Sequence, residues 1–361
     1  MASVFPLLHE SLRDVLSTRL NWNDLREIQE HTFVAVSQGR HTLVIAPTAG
    51  GKTEAALIPV VNEIMRTGGT GVACIIISPL KALINDQEER VNAFCAPLGI
   101  DVQKWHGDVP RHERGWEQGE APLVLMITPE SLEVLLFEDH LAIDLRSVKF
   151  VIVDELHAFV ETPRGVQLLA LLDRITRSCA QPPCRIGLSA TVGNPEGVIS
   201  WLTGGKGAAG VVQVPALPKP RQFSFHMAEE EGDVPDTIAR VVWGRKALVF
   251  ANSRSEAESL AVQFPPNIGS CAVHHSSLAP ALRKAAEEGF RSGEHTCIIA
   301  TGTLELGIDI GDLDLVVQLG APPSVSSFLQ RMGRAGRRGE TPHLASVLRS
   351  PCELLFLIGA I

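Results

Sequence analysis

The run Leu43-Val44-Ile45 passes straight into Ala46-Pro47-Thr48-Ala49-Gly50-Gly51-Lys52-Thr53, and a helix-period stretch follows from Lys52. A buried strand, a glycine-rich loop and a helix headed by lysine make a phosphate-binding arrangement. Backbone N–H groups and the helix N-terminus face the anion. Such a loop belongs to a parallel sheet, and the rest of the chain fits one. Strand-like runs at 41–46, 72–78, 123–128, 150–154 and 185–188 alternate with helical stretches at 52–66, 81–94, 129–137 and 164–178. Short apolar strands alternating with helices predict a mostly parallel sheet with helices on both faces.

The pattern then breaks. Thr203-Gly204-Gly205-Lys206-Gly207 and the prolines 215, 218 and 220 read as a connector near 205–222. A second β–α series follows, with strands expected at 247–251, 271–274, 296–300 and 315–319 and helices at 255–264, 280–291 and 324–331. Two α/β domains are therefore expected, residues 1–210 and 211–361, as the length of 361 residues also suggests.

No apolar run reaches a membrane-spanning length, and Glu10 and Asp14 interrupt any signal-like N-terminus. A soluble, cytoplasmic protein is the expectation. The net charge of −9 argues against unspecific adhesion to polyanions, but local basic strips can still act at short range. The seven cysteines lack zinc-site spacing and read as reduced thiols.

Val151-Ile152-Val153 delivers Asp154 and Glu155 to a strand's C-terminal end, where α/β sheets place ligands. Lys52 is expected on the β/γ-phosphates, with Thr48, Gly50 and Gly51 in the cradle. Thr53 and Asp154 are expected to hold Mg²⁺, and Glu155 to orient and deprotonate the attacking water. Gln29, shortly before the loop, can pair with both edge groups of adenine. One departure stands out: Ala49 sits where a phosphate loop usually carries glycine. Far downstream comes Gln330-Arg331-Met332-Gly333-Arg334-Ala335-Gly336-Arg337-Arg338. Arginines suit the charge that spreads over a transferring phosphoryl group.

The ordered set resembles a superfamily 2 helicase core: two RecA-like domains with an ATP cleft between them. Ser189-Ala190-Thr191 resembles its motif that couples the site to nucleic acid, and the stretches 300–310 and 330–338 resemble its fifth and sixth motifs. Asp154-Glu155-Leu156-His157, Arg164-Gly165, the run 189–196 and the run 303–311 resemble the large helicase-related (Lhr-like) branch. That resemblance implies an ATP-driven 3′-to-5′ translocase on single-stranded DNA. It implies arginine fingers at Arg334 and Arg337, γ-phosphate sensing by Gln330, and cleft-lining Gly307 and Asp309. His157 would couple the carboxylates to Ser189 and Thr191. Arg331 and Arg338 read as solvated or as phosphate contacts.

A nucleic-acid track needs loops at strand ends and helix starts. By resemblance the candidates are Lys81, the loop at His106, Thr128 and Ser131 in the first domain. In the second they are Arg254, Ser276 and Thr301. A Ser-Pro or Thr-Pro pair is also simply how helices begin. The His274-His275 pair lacks a supporting ligand cluster, so no metal is expected there. The span from Gly311 to Leu329 leaves little room for a strand-separating hairpin, so unwinding would need a further domain. The apolar run 353–361 is read either as a terminal helix or as the point where a longer polypeptide continues. An RNA or RNA:DNA-hybrid helicase stays open, as does an ATP-gated clamp with little turnover.

Overall fold

The computed structural model describes residues 3–47, 50–109, 121–137, 144–190, 192–214, 220–228, 230–265, 269–293, 296–305, 311, 313–335 and 341–360. The chain divides into two compact units, Met1–Ala216 and Leu217–Ile361.

In the first unit the strands are β1 (His41–Ile45), β2 (Cys74–Ile77), β3 (Val102–Trp105), β4 (Val124–Ile127), β5 (Phe150–Val153), β6 (Cys184–Ser189) and β7 (Ala209–Gln213). The helices are α1 (Glu10–Arg19), α2 (Glu27–Ser37), α3 (Lys52–Thr67), α4 (Lys81–Cys95), α5 (Pro129–Phe137), α6 (Pro163–Ser178) and α7 (Pro195–Thr203). The sheet order is β3-β4-β2-β5-β6-β1-β7, and every pairing is parallel.

Alternate residues of each strand feed two cores, as the period of two demands. Val44, Ile76, Met126, Ile152 and Ile186 join α1 to α4 on one face. Leu43, Ile45, Ile75, Val151 and Val153 join α5, α6 and α7 on the other. Burial on both faces is why these strands read as unbroken apolar runs.

The sequence reading needs correcting at β7. Ala209–Gln213 pairs with β1 along its whole length, from His41↔Ala209 to Ile45↔Gln213. Its glycine and alanine content imitates a linker, but it is an edge strand, and it lies across the expected boundary at 210/211. Edge strand β3 was hidden for a related reason: its two central residues are only half-buried.

The second unit holds β8 (Gln222–Met227), β9 (Ala247–Phe250), β10 (Cys271–His274), β11 (Cys297–Ala300), β12 (Leu315–Leu319) and β13 (His343–Leu348). Its helices are α8 (Val234–Val242), α9 (Arg254–Gln263), α10 (Pro280–Ser292), α11 (Val325–Met332) and α12 (Pro351–Ala360). The order is β10-β11-β9-β12-β13-β8, again parallel throughout. Val249, Ile299, Val317 and Val347 pack with α8 and α9. Among the described residues no helix is long and apolar enough to cross a membrane. All seven cysteines are free thiols, and burial pushes Cys95 up to about 12.

Candidate active site

The first sheet is divided along its C-terminal edge. Lys52 follows β1, Asp154 and Glu155 follow β5, and Ser189 ends β6, so the expected nucleotide residues share one half. Lys81, His106 and Thr128 follow β2, β3 and β4 on the other half.

The phosphate loop needs its glycines for shape. Gly51 has φ 82°, the left-handed region, and forms the N-cap of α3. A Cβ on Gly50 would stand 2.8 Å from the Pro47 carbonyl oxygen and 2.9 Å from Ala46 Cβ. Gly50 N–H donates to that same carbonyl at 2.9 Å. Lys52 is buried at the head of α3, and Thr53 beside it is half-buried. Thr48 and Ala49 lie outside the described residues.

Gln29 is buried at the start of α2, and its Oε1 accepts from Arg26 N–H at 2.9 Å. Its Nε2 has no hydrogen-bond partner among the described residues. The amide lies over the loop: a Cβ on Gly51 would meet Gln29 Nε2 at 3.2 Å. An unsatisfied buried donor beside a phosphate loop fits an absent acceptor.

Asp154 is 2% exposed. Burial first, and then the charge of Glu155, push its carboxyl up to about 6. The hydrogen bond from Gln87 Nε2 to Asp154 Oδ2 at 2.8 Å, and the charge of Lys52, pull the other way. Glu155 takes a left-handed backbone, φ 45° and ψ 49°, which is costly for a residue with a Cβ. Its Oε2 is buried without a hydrogen-bond partner among the described residues and stands 3.5 Å from His157 Nδ1. His157 Nδ1 lies 2.9 Å from Ser189 Oγ, so these three residues are brought together. Thr191 lies outside the described residues.

Two crowded carboxylates with one nearby lysine fit a hydrated divalent cation. Magnesium characteristically takes one or two protein carboxylates and completes its shell with water and substrate phosphate. No cluster of three or more metal-ligating side chains exists among the described residues, so a closed protein cage is not what this site offers.

The expected track residues are mostly engaged locally. Thr128 Oγ1 and Ser131 Oγ are 3.1 Å apart at the start of α5, a helix-start arrangement, and Thr128 is buried. Lys81 Nζ pairs with Asp108 Oδ1 at 2.7 Å. In the second unit Arg254 Nη2 donates to Ser276 Oγ at 2.8 Å, joining two of the expected residues. Thr301 N–H donates to the His274 carbonyl at 3.2 Å, bringing the third alongside. His274 and His275 each face a carboxylate, Glu287 and Glu258, at 2.9 Å.

Arg331 overturns its reading as a solvated or phosphate-contacting residue. It is 2% exposed and bonded to Glu305 through Nε at 2.7 Å and through Nη2. Its Nη1 reaches Gln318 Oε1 at 2.6 Å, and its guanidinium lies over the Phe250 ring at 4.9 Å. Ser327 Oγ donates to the other Glu305 oxygen at 2.7 Å. Glu305 also anchors Arg334, whose Nη2 donates to its backbone carbonyl at 2.9 Å. Sequence reasoning missed Glu305, Gln318 and Gln87. A glutamate inside the fifth motif and a glutamine inside an apolar strand were the available signals. Gln330 is half-buried and bonds Ser326 at 3.2 Å. Gly307, Asp309, Arg337 and Arg338 lie outside the described residues.

Two parallel sheets, the first with a phosphate loop and an Asp-Glu pair, define a superfamily 2 helicase core, and the chain belongs to that class. Residues 26–198 match the DEAD/DEAH box helicase family, and residues 233–339 match the helicase conserved C-terminal domain. Its likeness extends to the Lhr branch. It is 33% identical to an ATP-dependent helicase Lhr-Core of Methanothermobacter thermautotrophicus, over 89% of this chain and 41% of that protein. It is 34% identical to the Lhr helicase/probable uracil glycosylase of Mycolicibacterium smegmatis, over 86% of this chain and 24% of that protein. The solved structure of Mycobacterium smegmatis helicase Lhr bound to ssDNA and AMP-PNP matches with a TM-score of 0.86 and 32% identity. That match covers 99% of this chain and 50% of the other. The chain thus spans less than half the length of these two curated relatives.

Proposed function

We propose that this chain is an ATP-hydrolysing, nucleic-acid-stimulated motor core that moves 3′-to-5′ along single-stranded DNA. The observation that carries the reading is Glu155: a buried carboxylate oxygen without a hydrogen-bond partner among the described residues, held by a left-handed backbone beside Asp154.

Lys52 and the N-terminus of α3 bind the phosphates, and Gln29 selects the base. Thr53 and Asp154 would hold Mg²⁺, which would supply positive charge to offset that of the phosphates. Glu155 orients a water and accepts its proton at the buried carboxylate. His157 and Ser189 tie that carboxylate to the end of β6, so the base cannot swing freely. Arg334 and Arg337 stabilise the transferring phosphoryl group. Lys81, the loop at His106, Thr128 and Ser131 hold one strand in the first unit, and Arg254, Ser276 and Thr301 hold it in the second. The division of the first sheet supports the reading, since it sets nucleotide loops and strand-holding loops side by side on one rigid scaffold.

The test is steady-state phosphate release against single-stranded DNA, duplex DNA, RNA and hybrid oligomers, with Glu155→Gln as control. Stimulation by single-stranded DNA and loss of turnover in Glu155→Gln are expected. Stimulation by RNA alone would refute the DNA assignment. Equal rates in the two proteins would make the chain an ATP-gated clamp. Displacement of streptavidin from a 3′- or 5′-biotinylated oligomer reads direction; displacement from the 3′ end alone would reverse it.

A further inference from the structure

Helix α4 carries polar contacts on two opposed faces. Lys81, Asn85 and Glu88 are spaced i, i+4, i+7, which places them within about 60° around the axis. All three engage β3 or the loop after it. Lys81 bonds Asp108 at 2.7 Å, Asn85 Oδ1 lies 3.0 Å from His106 Nε2, and Glu88 accepts from Lys104 at 2.5 Å. Gln87 and Arg90 project from the far side. Arg90 Nη2 donates to Glu54 Oε1 at 2.7 Å, and Glu54 sits in the first turn of α3, directly behind the phosphate loop. Gln87 Nε2 donates to Asp154 Oδ2 at 2.8 Å. One rod of 15 residues therefore touches both the strand-holding loops and the nucleotide-side carboxylate.

We propose that Gln87 is a positioning residue for Asp154, and that through it α4 transmits nucleic-acid binding to the cation-holding carboxylate. A carboxylate turns about a soft, roughly two-fold torsion, so a directional donor on one oxygen fixes the plane in which the group presents itself. Gln87 holds Oδ2 from α4 and the Glu155 N–H supports the same carboxylate from its own backbone, so Gln87 is the one of these two donors that can move with the helix. A strand seated on the β3 side shifts α4, and Gln87 re-aims the carboxylate with it. The inference rests on the motor reading above.

Gln87→Met tests it. Methionine keeps side-chain length and helix propensity but donates nothing. Gln87 is half-buried, so the fold tolerates the change, and a thermal melt alongside confirms it. Two quantities are read. One is Mn²⁺ affinity in the presence of a non-hydrolysable ATP analogue, from the spin-resonance signal of free Mn²⁺. The other is the ratio of ATPase rates with and without poly-dT. Loss of one hydrogen bond to a charged acceptor predicts about a tenfold fall in each. Either quantity remaining at the wild-type value overturns the proposal. A wild-type protein that poly-dT fails to stimulate sinks the motor reading itself, whereas normal wild-type stimulation with an unchanged Gln87→Met ratio sinks only the role of Gln87.

Discussion

Asp154→Asn should stabilise the first unit when no metal or nucleotide is present. Burial and the charge of Glu155 raise this carboxyl from 3.8 to about 6, despite Gln87 and Lys52. The difference of about two pKa units corresponds to at most about 3 kcal/mol held against the fold above pH 6. The sign follows from the direction of the shift. A carboxyl raised in the folded state contributes fully below its unfolded value, and that contribution is lost as pH rises through the folded one. Wild type and Asp154→Asn should therefore converge near pH 4, separate between about pH 4 and 6, and run parallel above. Asparagine has the same shape, and the Gln87 amide can turn its carbonyl toward the new NH₂. Urea unfolding in EDTA, followed by tryptophan fluorescence, is the assay. Trp22, Trp105, Trp116 and Trp201 fall in the first unit and only Trp243 in the second, so the signal is mainly local. With a urea slope of about 2 kcal/mol/M, the midpoint should move up by at most about 1.5 M at pH 7.5. An Asn variant no more stable than wild type, or a gap that persists to pH 4, would refute the reasoning.

Arg331→Met should lower the stability of the second unit by about 3–5 kcal/mol, because it strands Glu305 in a dry site. Hydrogen exchange of β9 and β12 amides reports it, and Arg331→Met with Glu305→Leu should recover much of the loss. Gly165→Ala should lower the melting temperature of the first unit, since the added Cβ would lie 2.0 Å from the Phe159 carbonyl oxygen; an unchanged melt would mean that α6 can slide. Gln29→Ala should bind ATP and GTP with similar affinity in a competition assay, whereas a preserved ATP preference would place base reading elsewhere.

The interior of each sheet was legible from sequence because both faces are buried: Cys74–Ile77, Val124–Ile127 and Ala247–Phe250 are apolar at every position. The edges were not. Strands β7 and β8 are largely half-buried or exposed, so composition there resembles that of a loop. At the candidate site, the placement of Lys52, Asp154, Glu155 and Ser189 at the ends of apolar strands was legible because each follows or closes such a run. That of Gln87 was not, because its meaning comes from a carboxylate 67 positions away. Arg331 misled for a different reason. An arginine in a basic run looks solvated, and only the fold reveals Glu305, Gln318 and Phe250 around it.

The two halves of the first sheet meet at a single seam, the four-residue ladder Cys74↔Phe150 to Ile77↔Val153. A parallel ladder buried on both faces resists shear, because slipping one residue would turn each apolar side chain to the opposite core. Any message between the halves must then arch over the sheet rather than run through it. The bonds that do cross above the sheet, from Gln87 to Asp154 and from Arg90 to Glu54, both start on α4.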